Sequence, residues 1–172
     1  FHRVYHAINE FSTSDLSATY LDVLKDRMYI FAPNDPARRS AQTAIWRITD
    51  TLVRLVAPYL SFTAEEVWKY LPTVEGREPS VHLALFPRPE NLAPDADAPG
   101  LLTEWTQLLS VRSEVLKSLE EARKEKRIGK ALEAKVRLNI PVPLAQLLKK
   151  YQSSLKELFN VSQVELVMND AA

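Results

Sequence analysis

The chain of 172 residues contains no cysteine, three glycines and three histidines. The absence of cysteine excludes disulfide bonds and thiolate metal sites, and it gives no support for a secreted fold. So few glycines argue against an enzyme that cradles phosphates in glycine-rich loops. No apolar run approaches the ~20 residues that a membrane span needs, and no segment resembles a signal peptide. These absences predict a cytoplasmic protein that contacts no membrane.

The composition that remains is typical of a globular protein. Hydrophobic residues make up 46% of the chain, and 22 basic side chains balance 22 acidic ones. The charges are unevenly distributed, because residues 73–111 carry 2 basic and 6 acidic groups whereas residues 112–137 carry 9 and 5. The zero net charge therefore hides a local positive patch, which is the electrostatic footprint expected of polyanion binding.

Helical periodicity dominates the first 130 residues, where apolar side chains recur every three or four positions. The pattern predicts helices over Phe1–Phe11, Leu16 to about Tyr29, Pro36 to about Leu60, Thr63–Leu71 and about Leu101–Arg127. We expect a break between the first two helices at Ser12–Asp15. We also expect these helices to form one core, and the opening inside a helical stripe suggests a piece of a longer protein.

Local signals predict where several helices begin and end. Asp35 should cap the third helix, because an aspartate side chain accepts an orphan backbone N–H. Thr63 and Glu66 have the spacing of a capping box, and Gly129 should end the last helix as its C-cap.

Two later segments depart from the helical pattern. Residues 72–100 hold eight prolines and glycines, which predicts a connector that crosses the bundle and contains an extended piece at Val81–Leu83. Val81, Leu83, Leu85 and Phe86 should hold this connector in place. After residue 130 the pattern predicts a strand, a helix and a second strand with parallel pairing, over Ala134–Ile140, Leu144–Phe159 and Val161–Val167.

The sequence offers no convincing catalytic centre. His2 and His6 are four residues apart on one predicted helix, a spacing that can hold a metal, but no third ligand is evident and a solvated helix face is the preferred interpretation. His82 is assigned a structural or surface role. Nucleophile-elbow, P-loop and HExxH patterns are absent. We therefore predict no catalytic residue, no metal site and no cofactor for the chain itself.

Two groups of polar side chains could instead bind a nucleic acid. Arg39, Gln42 and Trp46 share one helical flank and combine a cation, an amide and a stacking ring, as single-stranded RNA loops require. Alternatively, Trp46 only seals the edge of a core. The cations that could meet phosphates are Lys25, Arg27, Arg38, Arg39, Arg123, Lys126, Arg127 and Lys130.

Each cationic group also has a structural alternative. Arg38 or Arg39 could pair with Asp22 or Asp26 across the turn between two helices. The run from Arg123 to Lys130 could be a solvated helix end, where cations suit the helix dipole. A further cation, Arg112, lies within an apolar stripe and should therefore form a buried or half-buried ion pair; the alternative is a contact between domains.

Several long motifs, in order, carry a family resemblance. DLSATYLDVLKDRMY, RRSAQT, APYLSFTAEEVWKYLP, SVHLALFP, VRSEVLKSLEEARKEKRIGKALEAKV and VSQVELV together resemble the anticodon-binding region of isoleucyl-tRNA synthetase, a class I aminoacyl-tRNA synthetase. The resemblance covers nearly the whole chain. It implies a mostly α fold, with an anticodon-binding-type helical bundle over residues 1–130 and a small strand–helix–strand α/β unit over residues 131–172.

The resemblance also implies a function. The chain would bind the anticodon stem-loop of tRNA(Ile), and it would act as a monomer beside catalytic and editing domains of the same polypeptide. Family members activate isoleucine with ATP and Mg²⁺ through HIGH-like and KMSKS-like motifs, which this chain lacks, so we expect the chain alone to be inactive. The alternatives are a helical scaffold or protein-interaction domain, and the equivalent domain of a valine- or leucine-specific synthetase.

Overall fold

The computed structural model describes residues 2–92 and 98–168, without the side chains of Asn91, Ala98 and Pro99. Part of the predicted connector, residues 93–97, therefore lies outside the described residues. The described chain is mostly helical, and no helix in it is long and apolar enough to cross a membrane. The α-helices are α1 (His2–Glu10), α2 (Lys25–Tyr29), α3 (Pro36–Val56), α4 (Ser61–Tyr70), α5 (Pro89–Leu92), α6 (Ala98–Lys124), α7 (Val142–Lys150) and α8 (Leu155–Phe159). The strands are β1 (Lys135–Ile140) and β2 (Gln163–Met168).

The described residues fall into two compact units. The terminal unit contains residues 2–26 and 98–168, and the central unit contains residues 27–92. Most buried apolar side chains of the described chain belong to two clusters, one in each unit. The expectation that all of these helices share one core stays a prediction. The predicted division at residue 130 lies inside the terminal unit.

The core of the terminal unit joins α6 to the strand–helix–strand segment. Leu108 and Val115 of α6 are buried in the same cluster as Ile140, Leu155 and Phe159. Leu155 and Phe159 are completely buried, and full burial of one such side chain stabilises a fold by about 1.5–3 kcal/mol. The apolar stripe predicted for α6 is thus the surface on which the small sheet and its helices pack.

The two strands pair in parallel, as predicted from the sequence. Val136 lies opposite Val164, and Leu138 lies opposite Leu166. These four side chains pack against the terminal core, because alternate residues of a strand point to the same face. The helical link between the strands is not continuous, since α7 and α8 are separated by a 3₁₀ turn at Gln152–Ser154.

The core of the central unit lies between α3 and α4. Val53 and Ala57 are buried with Ala64, Trp68 and Val81. A Glu65 carboxylate oxygen accepts hydrogen bonds from Ser80 Oγ at 2.8 Å and from the Val81 backbone N–H at 3.1 Å. These bonds fix the connector where Val81 enters the core.

The connector differs from its prediction in two respects. Val81–Leu83 forms a 3₁₀ turn rather than an extended piece. Of the four residues expected to hold the connector, Val81 is buried, whereas Leu83, Leu85 and Phe86 are exposed. The connector is therefore held by the burial of Val81 and by the hydrogen bonds to Glu65 beside it. The hydrophobicity of the sequence does not predict these polar bonds.

Helix boundaries supply two further corrections. The break expected at Ser12–Asp15 is absent, because α1 continues directly into a π-helix over Phe11–Leu21. Thr13 Oγ1 donates to the Asn9 carbonyl at 2.8 Å, and Thr19 Oγ1 donates to the Ser14 carbonyl at 3.0 Å. Hydroxyls used in this way bond backward within the helix instead of capping a new one.

The capping box expected at Thr63 and Glu66 is also wrong. Helix α4 begins earlier, at Ser61, and its N-cap residue Leu60 makes no side-chain cap bond. The Ala64 backbone N–H already bonds to the Leu60 carbonyl at 2.8 Å. Thr63 and Glu66 therefore lie inside the helix, where a capping box has no orphan donors to satisfy.

Candidate nucleic-acid interface

The cations predicted from Arg123 to Lys130 lie where α6 ends. The helix stops at Lys124, and Lys126 adopts a left-handed backbone conformation with φ of 57°. The Lys126 N–H bonds to the Arg123 carbonyl at 3.0 Å, and the Arg127 N–H bonds to the Ala122 carbonyl at 2.9 Å. This pair of bonds is a Schellman motif, which fixes the path of the backbone that carries the basic side chains.

Gly129 does not end this helix, although the sequence predicted it as the C-cap. Lys126 takes that place, because it is Lys126 whose backbone is left-handed. The Gly129 backbone N–H instead donates to Glu133 Oε2 at 2.9 Å, and the Lys130 N–H donates to the same oxygen at 3.2 Å. The Gly129 bond first, and then the Lys130 bond, hold the pKa of the Glu133 carboxyl below its usual value.

The predicted RNA-binding cations at this end of α6 form the basic cluster, which consists of Arg123, Lys126, Arg127 and Lys130. All four side chains are exposed, but they are not equally available to a ligand. Arg123 pairs with Glu120 at 2.9 Å, and Arg127 pairs with Glu125 at 2.7 Å. Lys126 forms no ion pair with another residue in the described part of the chain. Exposed pairs of this kind contribute little stability, so Arg123 and Arg127 can exchange their carboxylates for phosphates at small cost.

The second predicted group lies at the start of α3 in the central unit. The Asp35 side chain accepts from the Ala37 N–H at 2.8 Å and from the Arg38 N–H at 3.4 Å, which confirms it as the N-cap. Arg38 Nη1 donates to the Phe31 carbonyl at 2.7 Å. The structure thus shows Arg38 bonded to the turn before its own helix, whereas its contact with RNA stays a prediction.

Arg39, Gln42 and Trp46 share one flank of α3, as their spacing predicted. Arg39 and Gln42 are exposed, and Trp46 is half-buried. The indole Nε1 of Trp46 is buried and has no hydrogen-bond partner among the described residues. The indole is thus half-buried at the surface of α3, and its stacking on an RNA base stays a prediction.

Lys25 and Arg27 lie on α2, at the end of the first helical segment. Lys25 is exposed and pairs with Asp22 at 2.7 Å, while Arg27 is half-buried. Asp22 also accepts a hydrogen bond from Arg112, so its carboxylate forms ion pairs with two cations of the terminal unit. This use of Asp22 differs from the predicted pairing across the turn.

Arg112 forms the buried ion pair that the sequence predicted. Its side chain is 10% exposed, and Nη2 lies 3.3 Å from the Asp22 carboxylate. Nε donates to the Leu158 carbonyl at 2.9 Å. These bonds link α6 to the N-terminal helical segment and to α8, so Arg112 acts in the fold rather than in ligand binding.

The sequence analysis missed a partly buried pair of arginines, Arg54 and Arg77, in the central unit. The guanidinium carbon of Arg77 lies 3.7 Å from the centre of the Trp68 ring, and that of Arg54 lies 5.6 Å from it. Asp50 pairs with both arginines. Burial lowers the pKa of Arg77 more than the Asp50 charge restores it. Helical or strand periodicity could not predict this position of Arg77, because Arg77 lies in the irregular connector.

The histidines show no ligand geometry. The rings of His2 and His6 meet edge to face with centroids 5.1 Å apart, and His82 is exposed within its 3₁₀ turn. Within residues 2–92 and 98–168, no three side chains of histidine, cysteine, aspartate or glutamate are grouped as a metal site would need.

Known proteins similar to this chain identify its family. The family model described as the anticodon-binding domain of tRNA ligase matches residues 1–138. The chain is 49% identical over 168 residues to the isoleucine–tRNA ligase of Syntrophotalea carbinolica, 41% over 170 residues to that of a Sulfurihydrogenibium species, and 43% over 171 residues to that of Geobacter sulfurreducens.

These matches cover 97%, 98% and 99% of this chain, respectively, and 18% of the length of each relative. The chain therefore spans less than a fifth of the curated relatives that it matches. The resemblance read from the sequence motifs is confirmed, and the chain belongs to the family of anticodon-binding domains of tRNA ligases.

Proposed function

We propose that this chain is the anticodon-binding segment of an isoleucine–tRNA ligase and that it binds the anticodon stem-loop of tRNA(Ile) in the cytoplasm. The family membership supports the anticodon-binding role, and relatives with 41–49% identity support the isoleucine enzyme. In that protein, catalytic and editing domains outside the chain use ATP and Mg²⁺ to join isoleucine to the tRNA. The segment positions the tRNA for them, and it acts as a monomer.

The observation that carries this proposal is the basic cluster on a fixed turn at the end of α6. Its backbone is held by the Schellman bonds of Lys126 and Arg127 and by the Glu133 bonds to Gly129 and Lys130. Binding therefore requires little further ordering of the backbone, which lowers the entropic cost of association. Each phosphate contact releases condensed counterions, so this surface should bind RNA with strong salt dependence.

The flank of α3 complements this cluster chemically. Exposed Arg39 can contact a phosphate, exposed Gln42 can bond to a base edge, and the open part of the Trp46 ring can stack on a base. Stacking on an aromatic side chain tolerates any base and is weakly sensitive to salt. We therefore assign electrostatic attachment to the end of α6, and contact with unpaired loop bases to α3.

The decisive experiment measures the affinity of the 172-residue chain for labelled tRNA(Ile) over a range of salt concentrations. Replacing Arg123 and Arg127 together by glutamine should lower the slope of log affinity against log salt by about 1 to 2. Lys156→Gln removes an exposed cation of α8, outside the cluster, and should leave the slope unchanged.

Two other results would decide against the proposal. Absence of salt-dependent tRNA binding would favour a scaffold domain, and equal affinity for tRNA(Val) and tRNA(Ile) would leave the isoleucine assignment unsupported. The isolated chain should also show no isoleucine-dependent ATP–pyrophosphate exchange, because that chemistry is assigned to domains outside it.

A further inference from the structure

The terminal unit contains a groove that shares one lining residue, Arg127, with the proposed RNA surfaces. It has a volume of about 470 Å³ and lies between β1 and the C-terminal half of α6. Every residue from 133 to 138 lines it. Because successive side chains of a strand point to opposite faces, a groove lined by consecutive residues runs along the edge of β1 rather than over one face of the sheet.

The backbone at this edge has no partner strand among residues 2–92 and 98–168. The described sheet consists of β1 and β2 alone, so β1 is paired on one side only. In the described chain, no backbone hydrogen bond joins β1 to an element other than β2. A row of unpaired N–H and C=O groups is a template on which an extended peptide can form another strand.

The charges beside the open edge are not balanced. Lys135 Nζ lies 2.8 Å from Glu165 Oε2, and Arg137 Nε lies 3.3 Å from the same oxygen. Two cations on the outer face of the sheet therefore share one carboxylate. A strand added beside β1 would lie about 4.8 Å away, and an acidic side chain on its outer face would give the second cation a partner.

The inner side of the groove is apolar. Val136 and Leu138 of β1 face the wall formed by Val115, Leu119 and Ala122 of α6. Of the other charged lining residues, Arg127 adds a cation, Glu114 of α6 adds an anion, and Glu133 is bonded to two backbone amides. The groove thus favours a peptide whose apolar residues point inward and whose acidic residues point outward.

We propose that the free edge of β1 binds an extended peptide segment of alternating acidic and apolar residues, as the third strand of the sheet. A second copy of the chain fits less well, because pairing two β1 strands places Lys135 and Arg137 on the same face as the cations of the other copy. An RNA strand fits less well too, since it could not use the apolar wall. The proposal does not depend on tRNA binding.

A fluorescent seven-residue peptide of alternating valine and glutamate is a suitable probe for the 172-residue chain. Ser118 is exposed and lines the groove on α6, so Ser118→Phe should fill it and weaken binding at least tenfold. Ser113→Phe is the matched control, because Ser113 is exposed on the same helix outside the groove. Arg137→Glu should weaken the probe at least tenfold and tighten a valine–lysine peptide.

Hydrogen exchange should locate the bound peptide directly. The probe should slow exchange of backbone amides within residues 135–140, and a probe with N-methylated backbone should lose this effect. No binding at millimolar probe, equal binding of a scrambled peptide, or equal effects of the two serine variants would overturn the proposal. If Ser118→Phe weakens a single-stranded RNA but no peptide binds, the groove belongs to an RNA surface and the proposal is wrong.

Discussion

The guanidinium of Arg112 lies 3.3 Å from the carboxylate of Asp22 and 2.9 Å from the carbonyl oxygen of Leu158. One buried side chain thus joins three segments of the terminal unit that are distant in sequence. Arg112→Leu would leave the Leu158 carbonyl without its donor and Asp22 without this cation. We expect it to lower the free energy of unfolding by about 2–4 kcal/mol, measured by urea denaturation.

Arg123→Leu is the control for this prediction. Arg123 lies on the same helix, but its pair with Glu120 is exposed, so its loss should cost less than about 1 kcal/mol. A double-mutant cycle with Asp22→Asn should give a clear coupling energy with Arg112. Equal effects of the two arginine substitutions would show that burial of Arg112 contributes no special stability.

Lowering the pH should destabilise the terminal unit, in part because the carboxylate of Glu104 becomes protonated. Hydrogen bonds from Lys150 first and Tyr151 second hold the pKa of Glu104 below its ordinary value of 4.5. A carboxyl with a lowered pKa in the folded state stabilises the fold above its unfolded pKa, and this stability is lost as the pH falls through the folded pKa. Glu104→Gln should therefore lower the melting temperature at pH 6 and reduce its decline between pH 5 and pH 2.

Part of that decline should remain in the variant, because the pKa values of Glu133 and Glu165 in the same unit are lowered as well. Glu75→Gln replaces an exposed carboxyl of the connector and should keep the full decline. If Glu104→Gln and Glu75→Gln follow the same melting curve at every pH, the bonds from Lys150 and Tyr151 do not contribute.

The elements that follow a strong local rule could be predicted from the sequence. The Asp35 cap, the long periodic helices and the parallel β1–β2 pair are confirmed, because capping chemistry, apolar spacing and strand alternation act within a few residues. The buried pairing of Arg112 was also predictable, since a cation inside an apolar stripe requires a partner. The identity of that partner, Asp22, depends on a contact between residues 90 positions apart, which spacing cannot supply.

Several errors arise where a polar side chain has more than one available partner or where a non-glycine residue adopts the left-handed conformation. Thr13 bonds backward to Asn9 rather than breaking the helix, and Lys126 rather than Gly129 adopts the left-handed conformation. At the candidate interface, the sequence identified the cations but not the carboxylates that already hold Arg123 and Arg127. Its RNA contacts stay predictions, because the structure shows where these side chains lie and not what they bind.

Substitutions of Lys126 can separate an effect on RNA binding from an effect on the stability of the fold. It has a left-handed backbone at the end of α6, a conformation that costs a non-glycine residue roughly 1–2 kcal/mol. Lys126→Gly relieves that strain, which offsets the extra freedom of glycine in the unfolded chain, so the free energy of unfolding should be unchanged or rise by up to about 1 kcal/mol. If Lys126 meets a phosphate, the same variant should lower the salt slope of tRNA binding by about 0.7–0.9.

Lys126→Asn is a useful companion, because asparagine also tolerates the left-handed region and carries no charge. Both variants should therefore share the reduced salt slope. A variant that melts like the parent chain and keeps its full salt slope would remove Lys126 from the RNA surface, and the cluster would then depend on its other three cations.

Substitutions of Trp46 should show whether its ring is a stacking platform for RNA bases or only closes the surface of α3. Trp46→Ala should weaken tRNA binding by about 1–3 kcal/mol if the ring stacks on a base, while the salt slope stays constant because no phosphate contact is lost. Trp46→Phe keeps an aromatic face, and it loses no hydrogen bond within the described chain, because the indole Nε1 has no partner there. It should therefore retain most of the affinity and the melting temperature. A lower melting temperature of Trp46→Ala with unchanged tRNA affinity would instead assign Trp46 to the fold alone.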